Sequence, residues 1–283
     1  MKRANSQNIE QLIYEMELRN YSQRTIHTYS ELLSNLENNF KSGLESISTD
    51  QLKAYLYQRM KVDGVSVSYI NQTISAFKVL QTDVLKRNWE TLKIKRPRRE
   101  KKLPVVLSQE EVELLISSTR NIKHKALIML AYSSGLRRQE VQQIKPSAID
   151  SARMQVRVVQ GKGKKDRYTI LSKKTLELLR FYYKIERPSV YLFEPQGQKG
   201  IILSDTTLNN IVQKNAKKAG IKKQISFHTL RHCFATHLLE QGVNLKLIQQ
   251  FLGHNSLKTT SIYLSVANIS MSNVISPLDS MDV

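Results

Sequence analysis

The chain has 283 residues, enough for about two domains with a sizeable core, and 40% of them are apolar, as in a folded globular protein. No apolar run approaches the ~18 residues a membrane span needs. The N-terminal Met-Lys-Arg-Ala-Asn-Ser-Gln-Asn lacks the apolar stretch of a signal peptide, and the single cysteine, Cys233, excludes an internal disulfide, so a reducing cytoplasm is the expected compartment. The 44 Lys and Arg against 24 Asp and Glu leave a formal charge of +20, which favours a polyanionic partner. Nucleic acid comes first. An anionic membrane surface comes second, without a lipidation motif or a strongly apolar amphipathic segment to support it.

Residues 1–92 read as a helical domain. Ile9, Leu12, Ile13 and Met16 have helical spacing, as do Ile26, Tyr29, Leu32, Leu33 and Leu36. Ser22 is placed to cap the second helix. A third helix is expected from Thr49 or Asp50 through Leu52, Tyr55 and Leu56, ending before Gly64. A fourth runs from about Ser66 to Leu85 and buries Ile70, Ile74, Phe77 and either Leu80 or Val84.

The composition then shifts. Residues 93–104 carry Lys93, Lys95, Arg96, Arg98, Arg99, Lys101 and Lys102 around Pro97 and end at Pro104. A solvated linker is the simplest reading; a linker that also lies against DNA phosphates is the preferred one.

The second region, 105–266, opens with Ser108 and Glu111 in capping-box spacing. Lys123 to Ser134 reads as a buried helix stopped by Gly135, and Arg138 to Ile144 as a short helix ended by Pro146. Met154 to Val159 alternates and is β-branched, so it reads as a strand. Gly161-Lys162-Gly163-Lys164-Lys165-Asp166 is its turn and Tyr168 to Leu171 the returning strand. Helices resume from Thr175, and the last carries Tyr263. The tail, 267–283, has Asp279 and Asp282 but no Lys or Arg. The expected fold class is mainly α with a small antiparallel β-sheet.

Each chemical motif has a plain structural reading beside the functional one. Arg137 follows a helix stop and precedes a new helix, where a guanidinium and backbone amides can converge on an anion, and Glu140 is spaced to hold it by an ion pair. The glycine-rich turn at Gly161 is not a phosphate-binding P-loop, because its glycine spacing is wrong and a strand follows it. It is a basic hairpin tip, either solvated or reaching toward DNA. His228, Arg231 and His232 share one helix face. Two histidines at that spacing can bind zinc, but the zinc-protease pattern needs Glu after the first histidine, and Thr229 stands there. Leu230, Phe234 and Leu238 form an ordinary packing stripe, Cys233 reads as a small buried residue, and His232 and His237 as structural. A tyrosine on an apolar helix, such as Tyr263 nine residues after His254, is ordinarily a packing residue.

The combination carries more than its parts. The order Arg137, Lys162, His228-x-x-Arg231, His254, Tyr263 resembles the tyrosine recombinase, or phage integrase, family, most closely the short Xer-type enzymes and mobile-element integrases. The resemblance spans nearly the whole chain and is strongest from Phe227 to Tyr263, through His-Thr-Leu-Arg-His-Cys-Phe-Ala-Thr-His-Leu-Leu and Leu-Gly-His-Asn-Ser-Leu-Lys-Thr-Thr-Ser-Ile-Tyr. It implies a helical core-binding domain and an α+β catalytic domain that clamp double-stranded DNA.

It also implies a metal- and cofactor-independent mechanism. Tyr263 would attack the scissile phosphate to form a 3′-phosphotyrosyl bond, with Arg137 and Arg231 on the non-bridging oxygens. Lys162 would protonate the leaving 5′-oxygen, with Lys164 and Lys165 as competing candidates or DNA contacts. His228 would accept the tyrosine proton, His254 would hydrogen-bond the phosphate, and Glu140 would support Arg137. A homo-tetramer on two DNA sites, a paralogous recombinase partner and tail docking on a neighbouring subunit belong to the same implication. The reaction class covers integration, excision, inversion and dimer resolution. A non-catalytic DNA-binding relative and a type IB topoisomerase are the alternatives.

Overall fold

The computed structural model describes residues 7–40, 43–89, 94–98, 103–159 and 166–268. The chain divides into two compact units, Met1–Lys101 and Lys102–Val283.

Among the described residues, the first unit has four α-helices: α1 (Gln7–Leu18), α2 (Gln23–Phe40), α3 (Thr49–Lys61) and α4 (Val67–Val79). Local capping sets their starts. Ser22 Oγ accepts from the Thr25 amide at the head of α2, Ser48 forms a reciprocal box with Gln51 before α3, and Ser66 Oγ accepts from Tyr69 before α4. Their apolar faces meet in one core that includes Leu12, Met16, Leu33, Leu36, Leu52, Ile74 and Phe77.

The fourth helix does not run on regularly. From Leu80 to Val84 it widens into a π turn, closed by Leu85 N–H donating to Leu80 at 2.9 Å. Leu80 and Val84 both lie in the core, and Asp83 is buried and pairs with Arg19 Nη1 at 2.6 Å. Of the basic linker, Ile94 packs on this core, and the Arg96 guanidinium donates to the Asn71 carbonyl and Ser75 Oγ on α4. Lys95 and Arg98 are among the described residues; Lys93, Arg99, Lys101 and Lys102 lie outside them.

The second unit begins with α5 (Gln109–Ser117), headed by the Ser108–Glu111 capping box, and α6 (Ile122–Ser134), a buried helix that ends where Gly135 turns left-handed at φ 60°. Short α7 (Arg138–Gln143) follows, then a three-stranded antiparallel sheet in the order β1 (Ile149–Asp150), β2 (Gln155–Val158), β3 (Arg167–Ile170), with Val156 opposite Thr169 and Val158 opposite Arg167. The two-residue β1 is a strand the sequence pattern does not mark. Helices α8 (Lys173–Glu186), α9 (Asp205–Lys218), α10 (Phe227–Glu240), α11 (Leu245–Leu252) and α12 (Leu257–Thr260) complete the unit.

One correction matters for function. Tyr263 is not on an α-helix: α12 ends at Thr260, and the tyrosine sits in the 3₁₀ turn Ser261–Ser265. No helix among the described residues is long and apolar enough to cross a membrane.

Candidate active site

Four pieces of backbone converge on one cleft of about 450 Å³, lined by Arg137, His228, Arg231, His232, His254 and Tyr263 among others. Each piece has a local reason for its place. The left-handed Gly135 breaks α6 so that the chain doubles back and presents Arg137 at the head of α7. A side chain at Gly135 would collide with the Phe234 ring. The second left-handed glycine, Gly253 at φ 60°, ends α11 and delivers His254. Helix α10 brings His228, Arg231 and His232 together on one face, and the 3₁₀ turn swings Tyr263 in from the C-terminal side.

At the centre lies a buried ionic cluster around Glu140. Its carboxylate accepts from the Arg137 amide (2.7 Å) and Arg137 Nη1 (2.8 Å), and from Arg167 Nη1 (2.6 Å) and Nη2 (2.7 Å). Arg231 Nη1 stands 4.0 Å away. The side chains of Glu140, Arg167 and Arg231 are 8%, 9% and 2% exposed. Burial alone would raise the Glu140 carboxyl, but the hydrogen bonds and charge of Arg167, and then Arg137, outweigh it and hold the group at about 2.

Four other donor contacts of these guanidiniums go to backbone carbonyls. Arg231 Nη1 donates to Gly135 and its Nη2 to Leu252, both at 2.6 Å. Arg137 Nη2 donates to Gly253 at 2.9 Å, and Arg167 Nε to Phe251 at 2.8 Å. Burial and the neighbouring Arg137 push Arg231 down to about 9, which leaves it cationic at neutral pH. One carboxylate therefore faces three guanidiniums and leaves net positive charge in a largely buried cluster. Such a cluster is suited to a doubly liganded phosphate, whose charge the low local dielectric makes effective.

The histidines differ in role. Arg231 Nη2 can only donate, so His254 Nε2 accepts at 3.0 Å and its Nδ1–H donates to Thr260 Oγ1 at 2.9 Å. His228 is held toward the neutral form by burial, then by Arg231, Arg138 and Arg137. Its ring meets that of His232 edge-on, 5.9 Å between centroids. His232 Nδ1 in turn lies 3.1 Å from Tyr263 Oη. Tyr263 is 3% exposed, and burial raises its phenol while Arg231 and Arg137 pull the other way.

His237 stays apart from the cleft: its ring bridges the Tyr132 hydroxyl and the Leu107 carbonyl, each at 2.9 Å. Cys233 is buried, accepts from the Leu107 amide, and is pushed up to about 11 by desolvation, so it packs rather than reacts.

The structure thus gathers Arg137, Glu140, His228, Arg231, His254 and Tyr263 in one place. Lys162, Lys164 and Lys165 lie outside the described residues. The sequence reading omitted two members of the cluster. Arg167 is 27 residues from the carboxylate it grips, with no local pattern to tie them. The sequence marks His232 as structural, and its place on the face shared with His228 and Arg231 is the signal that ties it to the cleft.

Residues 105–268 match the phage integrase family, and residues 9–91 match the N-terminal SAM-like domain of phage integrases. The chain is 34% identical over 266 residues to the tyrosine recombinase XerA of Pyrococcus horikoshii, covering 93% of this chain and 90% of that one. Its fold is similar to the XerH site-specific recombinase bound to its difH substrate in a pre-cleavage complex, with TM-score 0.69, 25% identity, and 93% and 81% coverage. It is equally similar in fold to a lambda integrase dimer bound to a core site, with TM-score 0.69, 18% identity, and 89% and 95% coverage. The chain belongs to the phage integrase family of tyrosine recombinases.

Proposed function

We propose that this chain is a site-specific recombinase that cleaves and rejoins double-stranded DNA through Tyr263. The observation that carries the reading is the cleft itself, which a phenol, the buried Arg231, the partly buried Arg137 and three imidazoles line together. Tyr263 Oη attacks the scissile phosphorus, the bond to the 5′-oxygen breaks, and a 3′-phosphotyrosine forms. Arg137 and Arg231 bind the non-bridging oxygens, where charge grows in the transition state; one such donor contributes roughly a hundred- to a thousand-fold in rate. His228 and His254 flank the phosphate, and Lys162 from the basic hairpin protonates the departing 5′-oxygen. The phosphotyrosine conserves the bond energy, so a 5′-hydroxyl from a second duplex reseals the strand.

The helical unit 1–92 and the catalytic unit 105–266 clamp the duplex, joined by the basic segment 93–104. Four protomers, with or without a paralogous partner, act on two sites, and the tail 267–283 docks on a neighbour. The cytoplasm, where DNA and a reduced Cys233 coexist, is the working compartment. The family match and the +20 charge support this reading.

To test it, the target duplex is first recovered by covalent capture on the protein from sheared genomic DNA of the source organism, then rebuilt as a nicked suicide substrate. The wild-type protein is expected to trap a covalent adduct on a denaturing gel. Tyr263→Phe is expected to abolish the adduct while still shifting the duplex on a native gel. An undiminished adduct from the variant would remove Tyr263 as the nucleophile.

A further inference from the structure

The phenolic proton must leave Tyr263 as its oxygen bonds to phosphorus. The described imidazole in hydrogen-bond contact with that oxygen is His232, with Nδ1 at 3.1 Å. The rings of His232 and Tyr263 also pack against each other, 5.8 Å between centroids. His254 Nε2 is engaged with Arg231, and His228, which the family resemblance makes the acceptor of this proton, meets the edge of the His232 ring. We propose that His232, the residue directly after Arg231, is a catalytic residue: the general base that takes the proton of Tyr263. The inference rests on the reading of Tyr263 as nucleophile.

The step balances without a co-reactant. With its own ring proton on Nε2, His232 accepts the phenolic hydrogen at Nδ1 as the Oη–P bond forms and the P–O5′ bond breaks. The 5′-oxygen takes its proton from the general acid, Lys162. In religation the imidazolium returns the proton to the departing tyrosine oxygen. Burial, then His228 and Arg231, hold His232 down to about 4, so the ring is neutral at neutral pH and, as a weak base, takes the proton only in concert with formation of the Oη–P bond. The Tyr263 phenol is raised by burial and so needs a base at contact distance.

The test uses the full chain and the captured suicide duplex, and compares His232→Ala and His232→Asn with the wild type in single turnover. Asn sets an amide oxygen near the place of Nδ1, so it keeps a hydrogen-bond acceptor without a base. Both variants are expected to slow adduct formation about 100-fold or more, with duplex binding on native gels unchanged. Replacing Tyr263 by a fluorinated tyrosine, whose phenol ionises at lower pH, is expected to recover most of that loss in His232→Ala and to change the wild type far less.

A wild-type rate in either variant overturns the proposal: in Asn it reduces His232 to a structural hydrogen bond. A loss that the fluorinated tyrosine does not relieve also counts against it. Tyr263→Phe runs alongside. If it still forms adduct, the site reading has failed; if it is silent while both His232 variants cleave at full rate, only the present inference has failed.

Discussion

The two units bury charge in opposite ways. The first closes over an apolar core and admits one carboxylate near it, Asp83 at the π turn, paired with an Arg19 side chain that is 53% exposed. The second drives Glu140, Arg167 and Arg231 almost wholly out of water and lets the cations outnumber the anion. A half-exposed pair adds little to stability, whereas a fully buried cluster is held at the cost of desolvating every member. Spending stability on surplus buried positive charge is sensible only where an anion will arrive, and it marks which unit does chemistry.

Removing each carboxylate sharpens that contrast. Glu140→Gln leaves Arg137, Arg167 and Arg231 without their counter-charge and is expected to cost about 3–5 kcal/mol, read from the urea midpoint. Asp83→Asn in the first unit is expected to cost less than about 1 kcal/mol. The Glu140 contribution has a defined pH window. Because its folded pKa is depressed, to about 2 from the ordinary 4.5, its stabilisation is fully present above about 4.5 and is lost as pH falls toward 2. The gap between wild type and Glu140→Gln should therefore narrow over that range. A gap that stays constant to pH 2 would mean the carboxylate is not held by the arginines.

A smaller effect separates the two units at glycine. Gly64 and Gly253 have nearly the same left-handed backbone, φ 61° and 60°. A methyl group at Gly64 meets nothing within 4 Å, while one at Gly253 would lie 2.7 Å from Arg167 Cδ. Arg167 cannot swing aside, because Phe251 and both Glu140 oxygens hold its guanidinium. Gly64→Ala should cost about 1 kcal/mol of backbone strain. Gly253→Ala should add about 1–3 kcal/mol for the clash and also slow adduct formation, since Arg167 and Glu140 shift with it. Equal losses at the two glycines would contradict the account of Arg167 as a fixed strut.

What was legible in the sequence was what short spacing encodes. The Ser108–Glu111 cap, the stop at Gly135, the strand either side of the basic turn and the shared face of His228 and Arg231 all follow from contacts within a few residues. The π turn at Leu80–Val84 was not, because the residues through Leu85 keep an ordinary helical spacing. Strand β1 is too short to alternate. Tyr263 read as helical because Leu257 to Tyr263 lacks a breaker, yet the chain tightens into a 3₁₀ turn that seats the ring against His232 and the Phe234–Leu252 cluster. The Glu140–Arg167 pair spans 27 residues and two elements, and only the folded sheet brings it together.

The most direct test of the whole account is to ask where the DNA is attached. Trypsin cuts after Lys258, and no Lys or Arg follows, so residues 259–283 form one peptide whose single tyrosine is Tyr263. After trapping on the suicide duplex, nuclease trimming and trypsin digestion, tandem mass spectrometry is expected to find the residual nucleotide on Tyr263 of that peptide. A nucleotide carried by any other residue would contradict the assignment of this cleft as the site of strand cleavage.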